Sequence, residues 1–211
     1  MIFFATPLSS YSAKVRIVLC VKNLRFEERE PPGGYRSAQY RAIVPMGTMP
    51  AIQVGDWVLS ESEAVNEYLE EAHPAPPMLP ADLRLRAEVR FFCRFHDLHL
   101  EPLVRALFPL AKSADRQAGA VADVRSRIEA RLGQLASWAR PQPYLLTSEI
   151  SLADCGPLVT LALASALLAA CGQALELPAP LQAWLAAASR HPGVDRALSP
   201  WRSATAARLA A

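Results

Sequence analysis

Val44-Pro45-Met46-Gly47-Thr48-Met49-Pro50, with Glu61-Ser62 shortly after it, is the stretch on which the fold turns. Pro50 stands at the start of a strand, where a residue without an N–H cannot donate to the sheet ladder. Ala51-Ile52-Gln53-Val54 and Trp57-Val58-Leu59 flank Gly55-Asp56, a hairpin signal in which the glycine supplies a positive φ. Glu63 to Glu71 then sets Ala64, Val65, Tyr68 and Leu69 on one helical face. Two forms of the Met49–Pro50 bond fit this context. One is an ordinary trans proline at a strand start; the other is a cis bond that turns the Met49 N–H and C=O outward, toward an extended peptide.

Upstream, Ile2-Phe3-Phe4 reads as a short buried strand, and Ser10 to Lys22 as a helix carrying Val15, Val18, Leu19 and Val21, stopped at Asn23. Leu24 to Glu28 is expected to be a second strand, parallel to the first through a crossover. Pro31-Pro32-Gly33-Gly34 marks a loop, followed by a helical turn at Ser37 to Ala42. The sum is a small mixed sheet with helices. Downstream, His73 to Pro80 holds four prolines in eight residues and reads as a linker. The pattern then turns helical. Leu85, Val89, Phe92, Phe95, His99, Leu103 and Leu107 recur at helical intervals, and Val121–Trp138, Ser151–Cys171 and Leu181–Ala188 follow, the last stopped near His191-Pro192-Gly193. This part is expected to be a helical bundle.

The 211 residues carry a formal net charge of +2, which gives no reason to expect a nucleic-acid partner. Cys20, Cys93, Cys155 and Cys171 form no Cys-x-x-Cys pair and no metal-like spacing with histidine, so they read as free thiols of a reducing compartment. Met1–Ala5 is too short for a signal peptide, and the apolar run Cys155–Cys171 reads as a buried helix rather than a membrane span.

Three places could carry chemistry. Ser9-Ser10-Tyr11-Ser12 precedes and opens the first helix: a hydroxyl there either caps the helix or donates to a thiolate, whose acidity the donor and the helix dipole would raise. Ser62 either caps the helix after the hairpin or offers its hydroxyl and N–H to a carboxylate, while Glu61 accepts from an ammonium. Phe95-His96-Asp97-Leu98-His99 puts two histidines on one side of a regular helix, as polar groups facing a cleft rather than as metal ligands.

Taken together these signals resemble the soluble glutathione transferases. Ser9-Ser10-x-Ser12-x-x-Val15-Arg16-Ile17 is similar to the serine turn of the zeta class and resembles that of the tau and phi classes. Pro45-Met46-Gly47-Thr48-Met49-Pro50-Ala51, Glu61-Ser62-Glu63-Ala64-Val65 with Tyr68-Leu69, and the capping box Ser151-Leu152-Ala153-Asp154 with its Ile150/Cys155 staple resemble the family's other segments.

The resemblance implies a thioredoxin-like α/β domain over residues 1–73, a proline-rich linker over 74–82 and an all-α domain over 83–211. It implies a dimeric cytoplasmic enzyme of detoxification. Glutathione would be its cosubstrate, transferred to a small apolar electrophile, with no metal, nucleic acid or membrane partner. Ser9 becomes the thiolate donor, with Ser10 and Ser12 behind it. Met49 and a cis Pro50 become the cysteinyl contact, Glu61 and Ser62 the γ-glutamyl binders, and Tyr35 and Arg36 the glycyl-end candidates. Tyr11, His96, His99 and Leu103 fall to the electrophile pocket, and Trp57 and Arg90 to a dimer interface. Cys155–Cys171 lacks the arginine of zeta isomerases, so maleylacetoacetate isomerisation is not expected. Tyr11-Ser12-x-x-Val15-Arg16-Ile17-Val18-Leu19 and Pro143-Tyr144-Leu145-Leu146 also resemble stringent starvation protein A, which implies a rival: a non-catalytic member of the same fold acting through protein contacts in transcription regulation.

Overall fold

In a computed structural model, residues 1–112 and 118–210 are described. They divide into two compact units, one made of Met1–Met78 with His191–Arg208, the other built mainly of Leu79–Arg190.

The first unit follows the expected order: β1 (Ile2–Phe4), α1 (Ser10–Val21), β2 (Glu27–Arg29), α2 (Ala38–Arg41), β3 (Ala51–Val54), β4 (Trp57–Ser60) and α3 (Ser62–Ala72). The sheet order is β2-β1-β3-β4, with β1 and β2 parallel and the other pairs antiparallel. Strand β2 lies later than Leu24–Glu28 because its charged residues Glu27, Glu28 and Arg29 pair with Ile2, Phe3 and Phe4. An edge strand of charged residues needs no apolar alternation and discourages pairing with another chain.

The two faces of the sheet are covered differently. Ile2, Phe4, Ala51 and Val58 point to one face, where they pack with Tyr40, Val44, Ile43 and Met49. Phe3 and Ile52 alternate to the other side and are fully buried, as are Val65 and Leu69 of α3. Tyr40 is the anchor of the first cluster. Its hydroxyl donates to the Thr48 carbonyl at 2.9 Å, and burial pushes its pKa up to about 12. The folded state therefore holds the phenolic proton more tightly than the unfolded chain. This contribution is fully present below the ordinary tyrosine pKa of about 10 and is lost as pH rises through about 12. Tyr40→Phe is expected to cost about 1 kcal/mol at pH 8 and to flatten the alkaline fall in stability, as read by urea unfolding at a series of pH values.

The boundary between the units departs from the expected 73/74. Lys22 is buried and paired with Glu70 at 2.6 Å. Its Nζ also donates to the carbonyls of His73 and Pro76, both at 2.8 Å. Both Glu70 oxygens accept the Met78 N–H. These bonds bind residues 73–78 to the first unit. The end of the chain departs as well. Pro192, expected to mark a stop, opens a further helix, α10 (Pro192–Ala210); a proline at the first helical position loses no hydrogen bond. Most of α10 joins the first unit, where Arg196 donates to the Cys20 carbonyl at 2.5 Å.

The second unit comprises α4 (Leu83–Phe95), a π turn (His96–Leu100), α5 (Glu101–Arg105), α6 (Leu107–Lys112), α7 (Ala118–Trp138), α8 (Leu152–Ala170) and α9 (Ala179–Ala188). Helix α8 is long and apolar enough to cross a membrane, but 78% of its apolar window is buried inside the fold. At its start, Asp154 accepts from the N–H groups of Ser151 and Leu145, the Ser151 hydroxyl and the Trp184 indole, at 2.7–2.9 Å.

Candidate functional site

The sheet register gathers the candidate residues of the first unit. Phe4 at the end of β1 pairs with Ala51 at the start of β3, and Ala51 pairs with Ser60 at the end of β4. At that one end of the sheet, β1 runs on toward Ser9 and α1, Met49–Pro50 leads into β3, and β4 runs on through Glu61 into α3.

Ser9 is the N-cap of α1, its Oγ accepting the Ser12 N–H at 3.1 Å. A hydroxyl that accepts from the helix still has its own proton to donate. Capping and donation to an anion are therefore compatible, and the cap aims the oxygen. Ser10 and Ser12 are placed differently. Ser10 is buried, and Ser12 is fully buried with its Oγ lacking a hydrogen-bond partner among the described residues. Ser12 thus does not present its hydroxyl to a ligand at the surface, because the third residue of α1 turns into the unit.

The Met49–Pro50 bond is cis, as the resemblance implies. The Met49 side chain packs against the Phe4–Tyr40–Val44–Ala51 cluster. The preceding turn is closed by Gly47 N–H donating to Val44 O at 2.7 Å. Gly47 has φ +66°, and a Cβ there would come 3.0 Å from the Arg36 Cα. Glycine meets both demands. The same approach brings the 35–36 loop against the turn. Arg36, itself at φ 61°, stacks its guanidinium 5.1 Å from the centre of the exposed Tyr35 ring.

Glu61 holds φ 74° and ψ 115°, a conformation that side chains rarely adopt, and its carboxylate is exposed. Such strain persists where the surroundings enforce it, often at binding sites. It directs the chain from β4 into α3 without a side-chain cap at the helix start. The first-turn N–H groups of α3, Ser62 included, are therefore left for an anion. Neither Ser60 nor Ser62 caps the helix. The positive φ had no signal in the sequence, since Glu61 is neither glycine nor asparagine.

The second unit separates the two histidines that a regular helix would align. The π turn widens the helix at His96–Leu100. His96 turns inward and is 2% exposed, with Nδ1 2.7 Å from Asp97 Oδ1 and Nε2 2.7 Å from Thr160 Oγ1. It is a core residue joining the π turn to α8, not a substrate contact. His99 stays exposed with its ring 5.6 Å from Phe95, and Leu103 is half-buried. Gly156 makes room for the His96 ring, since a Cβ there would lie 2.5 Å from Nδ1. Gly156→Ala is expected to cost about 1–3 kcal/mol by overpacking. Adding His96→Ala should recover part of this in thermal melts, although that change carries its own cost.

Comparison with known proteins bears on the fold. Residues 3–77 match the glutathione S-transferase N-terminal domain. The chain thus carries a glutathione S-transferase N-terminal domain over that segment. It is 42% identical over 82 residues to glutathione S-transferase Z1 of Arabidopsis thaliana, a match covering 37% of each chain. It thus spans little more than a third of that relative's length. It is 29% identical over 160 residues to a stringent starvation protein A homologue of Pasteurella multocida, covering 74% of this chain and 70% of that one. Among solved structures, a bacterial zeta-class maleyl pyruvate isomerase in its holo form superposes with a TM-score of 0.77 at 25% identity, over 95% of this chain and 97% of the other. That likeness extends over both the thioredoxin-like sheet and the helices that follow it.

Proposed function

We propose that the protein is a glutathione transferase. It binds glutathione along the Met49–Pro50 edge, stabilises its thiolate with Ser9, and transfers it to a largely apolar electrophile. The observation that carries this reading is the convergence at one sheet end of a capping hydroxyl with a proton to donate, the Met49 backbone, and an uncapped helix start beside the Glu61 carboxylate. Glu61 takes the γ-glutamyl ammonium and Ser62 with the α3 N-terminus takes its carboxylate. Arg36, stacked on Tyr35, supplies a cation for the glycyl carboxylate. Tyr11, half-buried in the first turn of α1, is the electrophile contact on this unit. The enzyme supplies thiolate stabilisation and positioning, and the cosubstrate supplies the nucleophile.

The protein acts as a cytoplasmic homodimer in detoxification, without nucleic-acid or membrane partners. Exposed aromatic surface on each unit supports a dimer: Trp57 beside Tyr68, and Phe91 beside Trp138. Isothermal titration with millimolar glutathione tests the reading, and saturable binding is expected. No heat and no thermal shift would favour the second reading, a non-catalytic module acting through protein contacts, which the likeness to the stringent starvation protein A homologue supports. A panel of halogenated aromatics, epoxides and hydroperoxides then identifies the electrophile.

A further inference from the structure

We propose that the buried Lys14–Glu63 ion pair sets the acidity of the thiol bound at the start of α1, an inference that rests on the glutathione reading above. Helices α1 and α3 pack side by side. Two lysine–glutamate pairs join them, Lys14–Glu63 and Lys22–Glu70, both at 2.6 Å. Along each helix the second pair lies two turns beyond the first, so the helices run in the same direction with their N-termini at the same end.

The two pairs have different physical standing. Lys22 caps the C-terminal end of α1, where the helix dipole favours a cation, and together with Glu70 it holds residues 73–78. Lys14 has no such help from the dipole. It lies near the positive end of the α1 dipole and is 1% exposed. A buried ion pair is often no more stabilising than apolar residues of the same volume. A residue that breaks a local rule is expected where function needs it, and Lys14, a buried cation near a helix N-terminus, breaks one at the site end of the unit.

The placement gives it a role. Lys14 follows Ser10 by four residues, and helical side chains lean toward the N-terminus, so its ammonium lies toward the first turn of α1. Glu63 directly follows Ser62 in the first turn of α3, with its side chain 15% exposed. The pair therefore sets its cation on the thiol side of the site and its anion on the γ-glutamyl side. The other charges on these elements are further along or engaged. Arg16 is held by Glu28 of β2, Lys22 by Glu70, and Glu67 and Glu71 lie beyond the first turn of α3. At the surface stand Glu61 ahead of α3, and Arg36 and Arg41 around Gly47. Lys14 favours the thiolate and Glu63 opposes it. Both are positioning residues, acting on the thiol through the field at the helix start.

The test is the thiolate absorbance of bound glutathione, titrated against pH. Lys14→Met should raise the thiol pKa by about one unit and Glu63→Gln should lower it, because a charge a helical turn or two away shifts a titration by that order. Shifts of opposite sign are not produced by a merely structural pair. The exchanged pair Lys14→Glu/Glu63→Lys keeps the ion pair, and suits the α1 dipole better and the α3 dipole worse; it should also raise the pKa, and it guards against misfolding of the single variants. Lys14→Arg should leave the pKa unchanged. If glutathione binds but the exchanged pair leaves the pKa unmoved, or the two single variants shift it in the same direction, the inference is overturned and the glutathione reading stands. If the unaltered protein binds no glutathione, both fall.

Discussion

Asp154→Ala is expected to lose most of the protein's stability. One carboxylate accepts the Leu145 and Ser151 N–H groups, the Trp184 indole and the Ser151 hydroxyl in a fully buried setting. Alanine leaves three N–H donors without a partner, at about 1–3 kcal/mol each. The sum is on the order of the whole 5–15 kcal/mol that holds a typical domain. Urea unfolding followed by circular dichroism should show the loss, and a change below about 2 kcal/mol would refute the hub. Asp154→Asn keeps one acceptor and should be milder.

Burial raises the Asp154 pKa, against the lowering effect of its hydrogen bonds. The folded state therefore binds this proton more tightly than the unfolded chain. The stability this group contributes is fully present below its unfolded pKa and falls as pH rises through the folded value. Asp154→Asn should remove that component of the pH dependence.

Ser9→Ala should have the largest effect on activity. It removes the hydroxyl assigned to the thiolate and also the cap on α1, the latter worth about 0.5–2 kcal/mol. Loss of one preorganised donor to a developing or stabilised anion costs about 10²–10³-fold in rate. The bound thiol pKa should rise, so the deficit in kcat/KM should shrink as pH increases. Ser9→Asp separates the two roles: it keeps an acceptor for the Ser12 N–H but donates nothing at neutral pH. It should fold as the native chain does and remain defective. If Ser9→Ala leaves the thiol pKa unchanged, the helix N-terminus or Ser10 carries the role, since the buried Ser12 hydroxyl faces the interior.

Local chemistry made much of this protein legible in its sequence. Strand and helix periods, the Gly55-Asp56 turn and the proline breaks depend on near neighbours, and the observed elements follow them closely. The Ser151–Asp154 box was legible for the same reason, and the family resemblance supplied the cis Met49–Pro50 bond. What depended on distant partners was not legible. The pull of Tyr40 on Thr48, the strained Glu61, the burial of Ser12 and the four bonds converging on Asp154 each require groups that the chain brings together only on folding.

The histidines show the limit within a single element. Their spacing suits one helical face, but a π turn and the tight approach of Gly156 send His96 into the core. The final helix shows it at the scale of the chain. The sequence alone determined a small mixed sheet followed by helices, because hydrophobic period and turn chemistry are local. Only the tertiary structure decided that α10 belongs with the sheet and that Ser9, Met49 and Glu61 share one end of it, because both follow from register and packing between segments far apart in sequence.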